Sequence, residues 1–324
     1  MKRTLSILFL SRAGMVAVLG ATLAACGGSS SSSPAEETDT SSDLAQAVAA
    51  PELDPADQVE LDPDQPELLD QATGSIGAND DTVVPEDNGD LLPAVFPTET
   101  TVDLEFAQAG AALIESLNES LSLPADISVN FADCGTANAF FVTPEFNPDP
   151  NGAAGGAIVM CHELTELFLA TFNNDKDDTF QTSVFVLMHE LGHALVDQLD
   201  LPVLGIEEAA VDGIGAVFST KLGLAEGVVK AGVFFFTQGD TPFFDTHRVG
   251  TQRLGDLACW GVGGEPSLLS DPLISDIKDQ LVDAGRDCDF EYAERLDAVD
   301  RLIGANVKGG LVDVEVTPPQ PTEP

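Results

Sequence analysis

Residues 179–199 form the stretch that most restricts how this chain can fold. Its apolar side chains cover nearly the whole circumference of a helix, so the sequence predicts a helix buried on all sides. Three polar residues, His189, Glu190 and His193, interrupt this helix in the order HELGH. Burying an unpaired carboxylate is costly, so the fold must supply these residues with partners, and a metal ion would meet that need.

The spacing of the three residues suits a catalytic zinc site. Side chains four residues apart on a helix lie on one face with ~5–6 Å between their Cβ atoms, so His189 and His193 can bind one zinc ion at about 2.0–2.1 Å. Glu190 points about 100° away around the helix and can reach a water molecule on the open side of the metal. With only 4 histidines in the chain, a chance match is rare. We therefore expect two zinc ligands and a catalytic base.

The same first three letters occur 27 residues earlier, at His162, Glu163 and Leu164. There Glu166 takes the place of the second histidine, and the motif begins a predicted helix that follows a short strand. We expect this copy to have a structural role.

Two histidines do not complete a catalytic zinc site, which usually has three protein ligands and a water molecule. The remaining candidates are the other two histidines and three acidic residues of a second predicted helix: His162, His247, Glu207, Glu208 and Asp212. Glu208 and Asp212 lie four residues apart and share a face of that helix. One of them can bind zinc while the other accepts the N–H of a zinc-bound histidine and fixes its tautomer.

HExxH on one helix, followed by ExxxD on the next, resembles the gluzincin metallopeptidases, the thermolysin-like clan. The resemblance implies that Glu208 is the third zinc ligand and that Asp212 orients His189. Glu207 remains a weaker candidate for the third ligand.

A closer resemblance covers most of residues 100–300. The segments CGTANAFF, IVMCHEL, HELGHALV, LPVLGIEEAAVD and DTHRVGTQRLGDLACWGVGGEP are similar, in this order, to a bacterial family of metallopeptidases whose substrate is unassigned. Asp256 stands where we expect an asparagine in that family and His162 where we expect a tyrosine, and neither is a proposed ligand. The resemblance implies a fold and a peptidase activity, and it leaves the substrate open.

The segment around His247 bears on the mechanism. By analogy, His247 donates a hydrogen bond to the negative charge that develops on the carbonyl oxygen, a contribution of ~3–4 kcal/mol. The alternative is a structural cluster in which Arg253 pairs with an acid such as Asp245.

The N-terminus predicts export and lipidation. A basic start is followed by an apolar run and by Leu-Ala-Ala-Cys, which resembles a bacterial lipobox with Cys26 as the acylated residue. We expect residues 1–25 to be a lipoprotein signal peptide. No later segment reaches the ~20 apolar residues of a membrane span, so we expect a lipid-anchored protein of the bacterial cell envelope, on the periplasmic or surface side.

Residues 26–100 have the composition of a disordered tether. They contain a serine run and 18 acidic residues, with no lysine or arginine. Low hydrophobicity and one sign of charge leave too little apolar surface to offset the ordering entropy. The whole chain has a net charge of −42, which argues against nucleic acid as a partner and against direct binding to anionic lipid surfaces.

The other four cysteines predict two disulfides. Cys134–Cys161 and Cys259–Cys288 each close a loop of about 30 residues, worth roughly 3–4 kcal/mol in the chain-entropy model. No C-x-x-C spacing occurs, which argues against a cysteine zinc site.

We expect residues 101–316 to form one α+β, zincin-like domain, followed by a proline-rich tail at 317–324. A small sheet is predicted to pack over the buried active-site helix, with a mainly helical C-terminal part. Its strands are predicted at ISVNF, AFFVT, GGAIVM and, near the end, LVDVEV.

Together these features predict a zinc metallopeptidase that hydrolyses a peptide or protein substrate and meets the membrane only through its N-terminal lipid. Two alternatives stay open. One is a zinc amidohydrolase acting on cell-wall peptides or another amide. The other is a non-catalytic lipoprotein with a structural zinc ion, although such a site has no need of Glu190.

Overall fold

The computed structural model describes residues 87–98, 100–147, 153–238, 250–308 and 319. All of them belong to one compact unit, Ser75–Pro324. Within the described residues the strands are β1 Leu91–Val95, β2 Ile127–Ala132, β3 Ala139–Val142 and β4 Ala157–Cys161. The α-helices are α1 Thr101–Asn118, α2 His162–Thr171, α3 Lys176–Gln198, α4 Glu207–Lys221, α5 Ala225–Thr237, α6 Gly250–Gly264, α7 Pro272–Asp283 and α8 Cys288–Ile303.

The four strands form one mixed sheet in the order β1-β2-β4-β3. β1, β2 and β4 are parallel, and β3 runs antiparallel to β4 at the edge of the sheet. In β2 the buried residues Ile127, Val129 and Phe131 alternate with the half-buried Ser128 and Asn130. This period of two explains why one face of the sheet covers the core.

Helix α3 runs through the core below the sheet. Asp175 caps its start, because the carboxylate accepts hydrogen bonds from the backbone N–H groups of Asp177 and Asp178. From Val184 to Leu191 every residue is buried. The helix packs against β3 and β4 on one side and against α2, α4 and α5 on the others, which explains its apolar circumference.

The expected α+β fold is confirmed in outline: a small mixed sheet with mostly helical content. The helices at 176–198 and 207–221 and the strands β2, β3 and β4 lie where the sequence predicted them, within a few residues. None of the described helices is long and apolar enough to span a bilayer.

The N-terminal boundary of the folded part differs from the expected boundary at residue 101. β1 lies in the stretch assigned to the tether, pairs with β2 and buries Leu91 completely. The sequence of β1 is only a short apolar run in an acidic, proline-rich context, which does not by itself predict a strand. These residues form a strand because they pair with β2. Residues 1–86 and the predicted strand at 311–316 lie outside the described residues.

Both predicted disulfides are present. Cys134–Cys161 joins the loop after β2 to the end of β4, with 5.5 Å between the Cα atoms. Cys259–Cys288 joins α6 to the first residue of α8, with 4.7 Å between the Cα atoms. Cys26 lies outside the described residues.

Candidate metal centre

The centre lies where α3 and α4 cross at short range. A Cβ atom added at Gly215 of α4 would lie 3.0 Å from the backbone nitrogen of His189, and one added at Gly192 of α3 would lie 3.0 Å from the Cβ of Val211. Such contacts are too tight for ordinary side chains, so glycine at both positions lets the helix backbones approach. This approach brings the first turn of α4 within reach of the imidazoles on α3.

Three side chains converge at the crossing: His189, His193 and Glu208. The Oε2 atom of Glu208 lies 3.2 Å from Nε2 of His189 and 3.6 Å from Nε2 of His193. Ligands bound tetrahedrally at 2.0–2.1 Å are separated by about 3.3 Å, so the two distances bracket the spacing that zinc requires. Two imidazole nitrogens and one carboxylate oxygen are also a donor set typical of catalytic zinc.

Asp212 lies on the other side of His189. Its Oδ1 is 2.9 Å from Nδ1 of His189, while Nε2 of His189 faces Glu208. Arg253 from α6 donates two hydrogen bonds to the same carboxylate, at 2.9 Å from Nε and 2.7 Å from Nη2. The buried carboxylate therefore has both a cation and an imidazole as partners, which is the arrangement that a buried charge requires.

Arg253 has an acidic partner, and the partner that the structure describes is Asp212. The structure pairs Arg253 with Asp212, 41 residues away, whereas Asp245 lies outside the described residues. No local pattern marks this pair, because its two members lie on different helices. The only available signal was that a buried Asp212 would need a cation.

Glu207 contacts the second histidine at the ring nitrogen that faces away from the donor cluster. Its Oε1 lies 2.7 Å from Nδ1 of His193, and its side chain is 50% exposed. The two open candidates for a third ligand are thus placed differently. Glu208 lies near both Nε2 atoms, and Glu207 contacts His193 at Nδ1, on the opposite side of its ring.

The electrostatics of the metal-free centre follow from burial and close charges. Burial disfavours a charged imidazole at His189, yet the contacts with Asp212 and Glu208 outweigh it and raise its pKa to about 9. The pKa of His193 is raised in the same way by Glu208 and Glu207. The two histidines hold the pKa of Glu208 well below its usual range, against the effect of burial.

Glu190 differs from the other carboxylates. It is buried, and burial raises its pKa although His189 and His193 oppose the shift. The pKa of Asp212 is lowered despite burial, because Arg253 and His189 favour its charged form. A carboxylate whose affinity for a proton is raised beside a metal-type donor cluster is suited to accept and return a proton.

The cleft at this centre consists of two pockets that share part of their lining. The first, the apolar pocket, has a volume of about 230 Å³ and is walled mainly by Leu164, Leu167, Phe168, Val186, Phe234 and Phe235. The second, the acidic pocket, has a volume of about 350 Å³ and is walled by Phe140, Phe141, Thr143, His193, Glu207 and Glu208. Asn138, Ala139, His189 and Glu190 line both pockets.

The first HEL copy lies apart from this donor cluster. Glu163 accepts hydrogen bonds from the backbone N–H groups of Cys134 and Gly135. Its carboxylate lies close to the sulfurs of Cys134 and Cys161, but these are joined in a disulfide and offer no thiolate to a metal. His162 is buried, and it lines a small internal cavity between α1, α3 and the sheet. His247, predicted as a donor to the carbonyl oxygen, lies outside the described residues.

Comparison with known families identifies the chain's folded part. Residues 99–303, more than half of the chain, match the model of the family DUF4344, whose description is "putative metallopeptidase". The match covers α1 to α8 and therefore every residue of the donor cluster. No curated protein and no solved structure matches the chain significantly.

Proposed function

Because the chain belongs to this metallopeptidase family, we propose that it hydrolyses peptide bonds at a zinc ion held by His189, His193 and Glu208. The observation that carries the proposal is the position of Glu208 Oε2, 3.2 and 3.6 Å from the two Nε2 atoms. These separations fit tetrahedral zinc, and the HExxH…ExxxD order supports a gluzincin-like site. Three protein ligands are the number that a catalytic zinc site usually has.

A bound zinc ion supplies Lewis acidity, which polarises a carbonyl and makes water more acidic. Glu190 lies on the same helix one residue after His189 and takes the proton from the attacking water. It then passes that proton to the nitrogen of the leaving amine. Burial, which raises the pKa of Glu190, favours this temporary protonation.

Asp212 and Arg253 hold the first histidine. Asp212 accepts the Nδ1–H of His189, which fixes the tautomer with Nε2 free for the metal. Arg253 keeps the Asp212 carboxylate charged and in place through its two hydrogen bonds. We further propose that His247 donates a hydrogen bond to the carbonyl oxygen during hydrolysis.

The location of the enzyme is part of the proposal. The signal-like residues 1–25 and the Leu-Ala-Ala-Cys sequence support export and acylation at Cys26. Two disulfides support an oxidising compartment. We propose a lipid-anchored enzyme outside the cytoplasm, connected to its anchor by the acidic segment.

The test combines metal content with hydrolysis. Purified wild-type protein is expected to bind about one zinc ion per chain, as in other catalytic sites, and to cleave members of a mixed peptide library. Glu190→Gln is expected to keep the zinc and lose at least about 100-fold in kcat, because the base is missing. Glu208→Ala is expected to lose the zinc. Normal cleavage by Glu190→Gln would remove Glu190 from the base role.

The same experiment separates the alternatives. Zinc that stays bound without cleavage of any peptide in the library points to a zinc-containing binding protein. Cleavage confined to cell-wall peptides points to the amidohydrolase. A folded wild-type protein that binds no zinc contradicts all three.

A further inference from the structure

The two pockets of the cleft differ in chemistry although they meet at the same centre. His189 and Glu190 line both, so a substrate held across the centre places neighbouring parts in the two pockets. The apolar pocket suits a large apolar side chain. The acidic pocket adds the carboxylates of Glu207 and Glu208 to its aromatic wall, and its ligand is therefore of another kind.

Glu207 is the carboxylate of the acidic pocket that a ligand can reach most easily. Of the other two carboxylates that line this pocket, Glu208 lies between the two zinc-type histidines and Glu190 is buried. Glu207 contacts His193 through Oε1, yet half of its side chain remains exposed in the cleft. No lysine or arginine is present among the described residues that line this pocket.

The remaining wall suits a long side chain with a charged end. Phe140 and Phe141 of β3 give aromatic surface, and Phe140 is 36% exposed. Lysine and arginine pack their apolar stems along such surface and keep the cationic group at a polar end. Arginine also stacks on aromatic rings. The net charge of −42 draws cationic peptides towards the protein before they reach the cleft.

We propose that the acidic pocket binds a lysine or arginine side chain next to the scissile bond, and that Glu207 is the residue that determines this specificity. The substrate class is thus peptides in which a basic residue adjoins a large apolar residue across the cleaved bond. The inference rests on the proposed function, since it assigns the substrate of the same site.

Arginine and citrulline peptides test the charge of the ligand. Citrulline has nearly the shape of arginine but is neutral, with a urea oxygen in place of one guanidinium nitrogen, so the pair of peptides tests the cationic group. Two sets are used, with the tested residue immediately before or after a phenylalanine. In the set that matches the cleft, wild-type protein is expected to show roughly fivefold higher kcat/KM for arginine, the size of a partly exposed ion pair. The preference should fall at high salt.

Glu207→Gln tests whether Glu207 determines the preference for arginine. Glutamine keeps an oxygen that can accept the hydrogen bond from His193, and the arginine-to-citrulline ratio cancels any general change at the metal. The ratio is expected to fall to about one. The control Glu115→Gln removes the same charge from an exposed position on α1, away from the cleft, and should keep the wild-type ratio. An unchanged ratio in Glu207→Gln overturns the inference.

Binding separates this inference from the proposed function. Dissociation constants of the same peptides are measured with zinc-loaded Glu190→Gln protein, in which cleavage is blocked. Cleavage without any arginine preference refutes the specificity and leaves the peptidase standing. Tighter binding of the arginine peptide, with no cleavage by wild-type protein, refutes the peptidase and supports the pocket.

Discussion

The tripeptide His-Glu-Leu appears at 162–164 and again at 189–191, and the two copies have different surroundings. The first begins α2, directly after β4, and Glu163 binds backbone N–H groups of a neighbouring loop. The second lies in the middle of α3, with α4 packed across it. Only the second copy meets a further imidazole and a carboxylate from another helix.

The difference shows what turns the motif into a metal centre. Four residues after His162 stands Glu166, which is exposed while His162 is buried, and among the described residues neither belongs to a group of metal-type donors. Four residues after His189 stands His193, on the same face and beside Glu208. The helix across the motif matters as much as the motif itself.

The largest expected effect comes from exchanging the fourth residues of the two copies. His193→Glu gives the second copy the pattern of the first, and we expect zinc affinity to fall by more than about 100-fold, because even the loss of an outer partner costs 10–100-fold. Glu166→His gives the first copy an HExxH pattern. It should bind no second zinc ion, because the part of the chain that the structure describes places no third ligand there.

Calorimetric zinc titration of both variants and the wild type checks this exchange. Circular dichroism serves as the control for folding. A second zinc ion bound by Glu166→His with wild-type affinity would show that the tripeptide and its spacing suffice, contrary to the comparison.

The next effect concerns the close packing that only the second copy has. Gly215→Ala places a methyl group against the backbone of His189, which cannot move aside without shifting α3. We expect a loss of about 1–3 kcal/mol in unfolding free energy, together with weaker zinc binding. Urea denaturation with and without zinc measures both.

Gly255→Ala is the matched control for this substitution. Its added methyl group would lie 3.0 Å from Nη1 of Arg286 and 3.6 Å from Cδ2 of Leu281, which are side-chain ends and not helix backbone. The helix propensity of alanine then makes the change neutral or slightly stabilising. Equal losses in both variants would show that Gly215 has no special role in the spacing of α3 and α4.

The smallest expected effect is a difference in unfolding free energy between substitutions of Glu163 and Glu190, the glutamates of the two copies. The pKa of Glu163 is lowered, because the backbone N–H groups of Cys134 and Gly135 outweigh burial, so its charge stabilises the folded state above the unfolded pKa. The pKa of Glu190 is raised by burial, so its charge costs stability at neutral pH. In metal-free protein we expect Glu163→Gln to lose about 1 kcal/mol and Glu190→Gln to lose nothing or gain slightly.

Urea denaturation at pH 7 and again near pH 4 distinguishes the two changes. The loss caused by Glu163→Gln should shrink as the pH falls through the folded-state pKa, since the wild-type carboxylate becomes protonated. A loss for Glu190→Gln equal to that for Glu163→Gln would mean that both glutamates have the same structural role.

Features with a local signal were predictable from the sequence. The buried helix followed from its apolar circumference, the strands β2 to β4 from their apolar runs, and the disulfides from short loops. Glu208 and Asp212 were identified as candidates by their spacing on one helix face. The structure places both beside His189.

Features that depend on packing between distant elements were not predictable. The Arg253–Asp212 pair joins α6 to α4 and depends on how those helices pack. The sequence could not decide which of Glu207 and Glu208 faces the two Nε2 atoms and which contacts Nδ1 of His193. The two residues are adjacent, and only the orientation of the first turn of α4 determines where each side chain points. β1 was missed because its five residues become a strand only beside β2.

The pairing of neighbouring cysteines has a consequence for how the protein is made. Synthesis proceeds from the N-terminus, so Cys134 can pair with Cys161 before Cys259 and Cys288 have been synthesised. Correct bonds then follow from the order of synthesis, and few mispaired sulfurs need to be exchanged. Cys26 precedes both pairs, and the proposed acylation would remove its thiol from that competition.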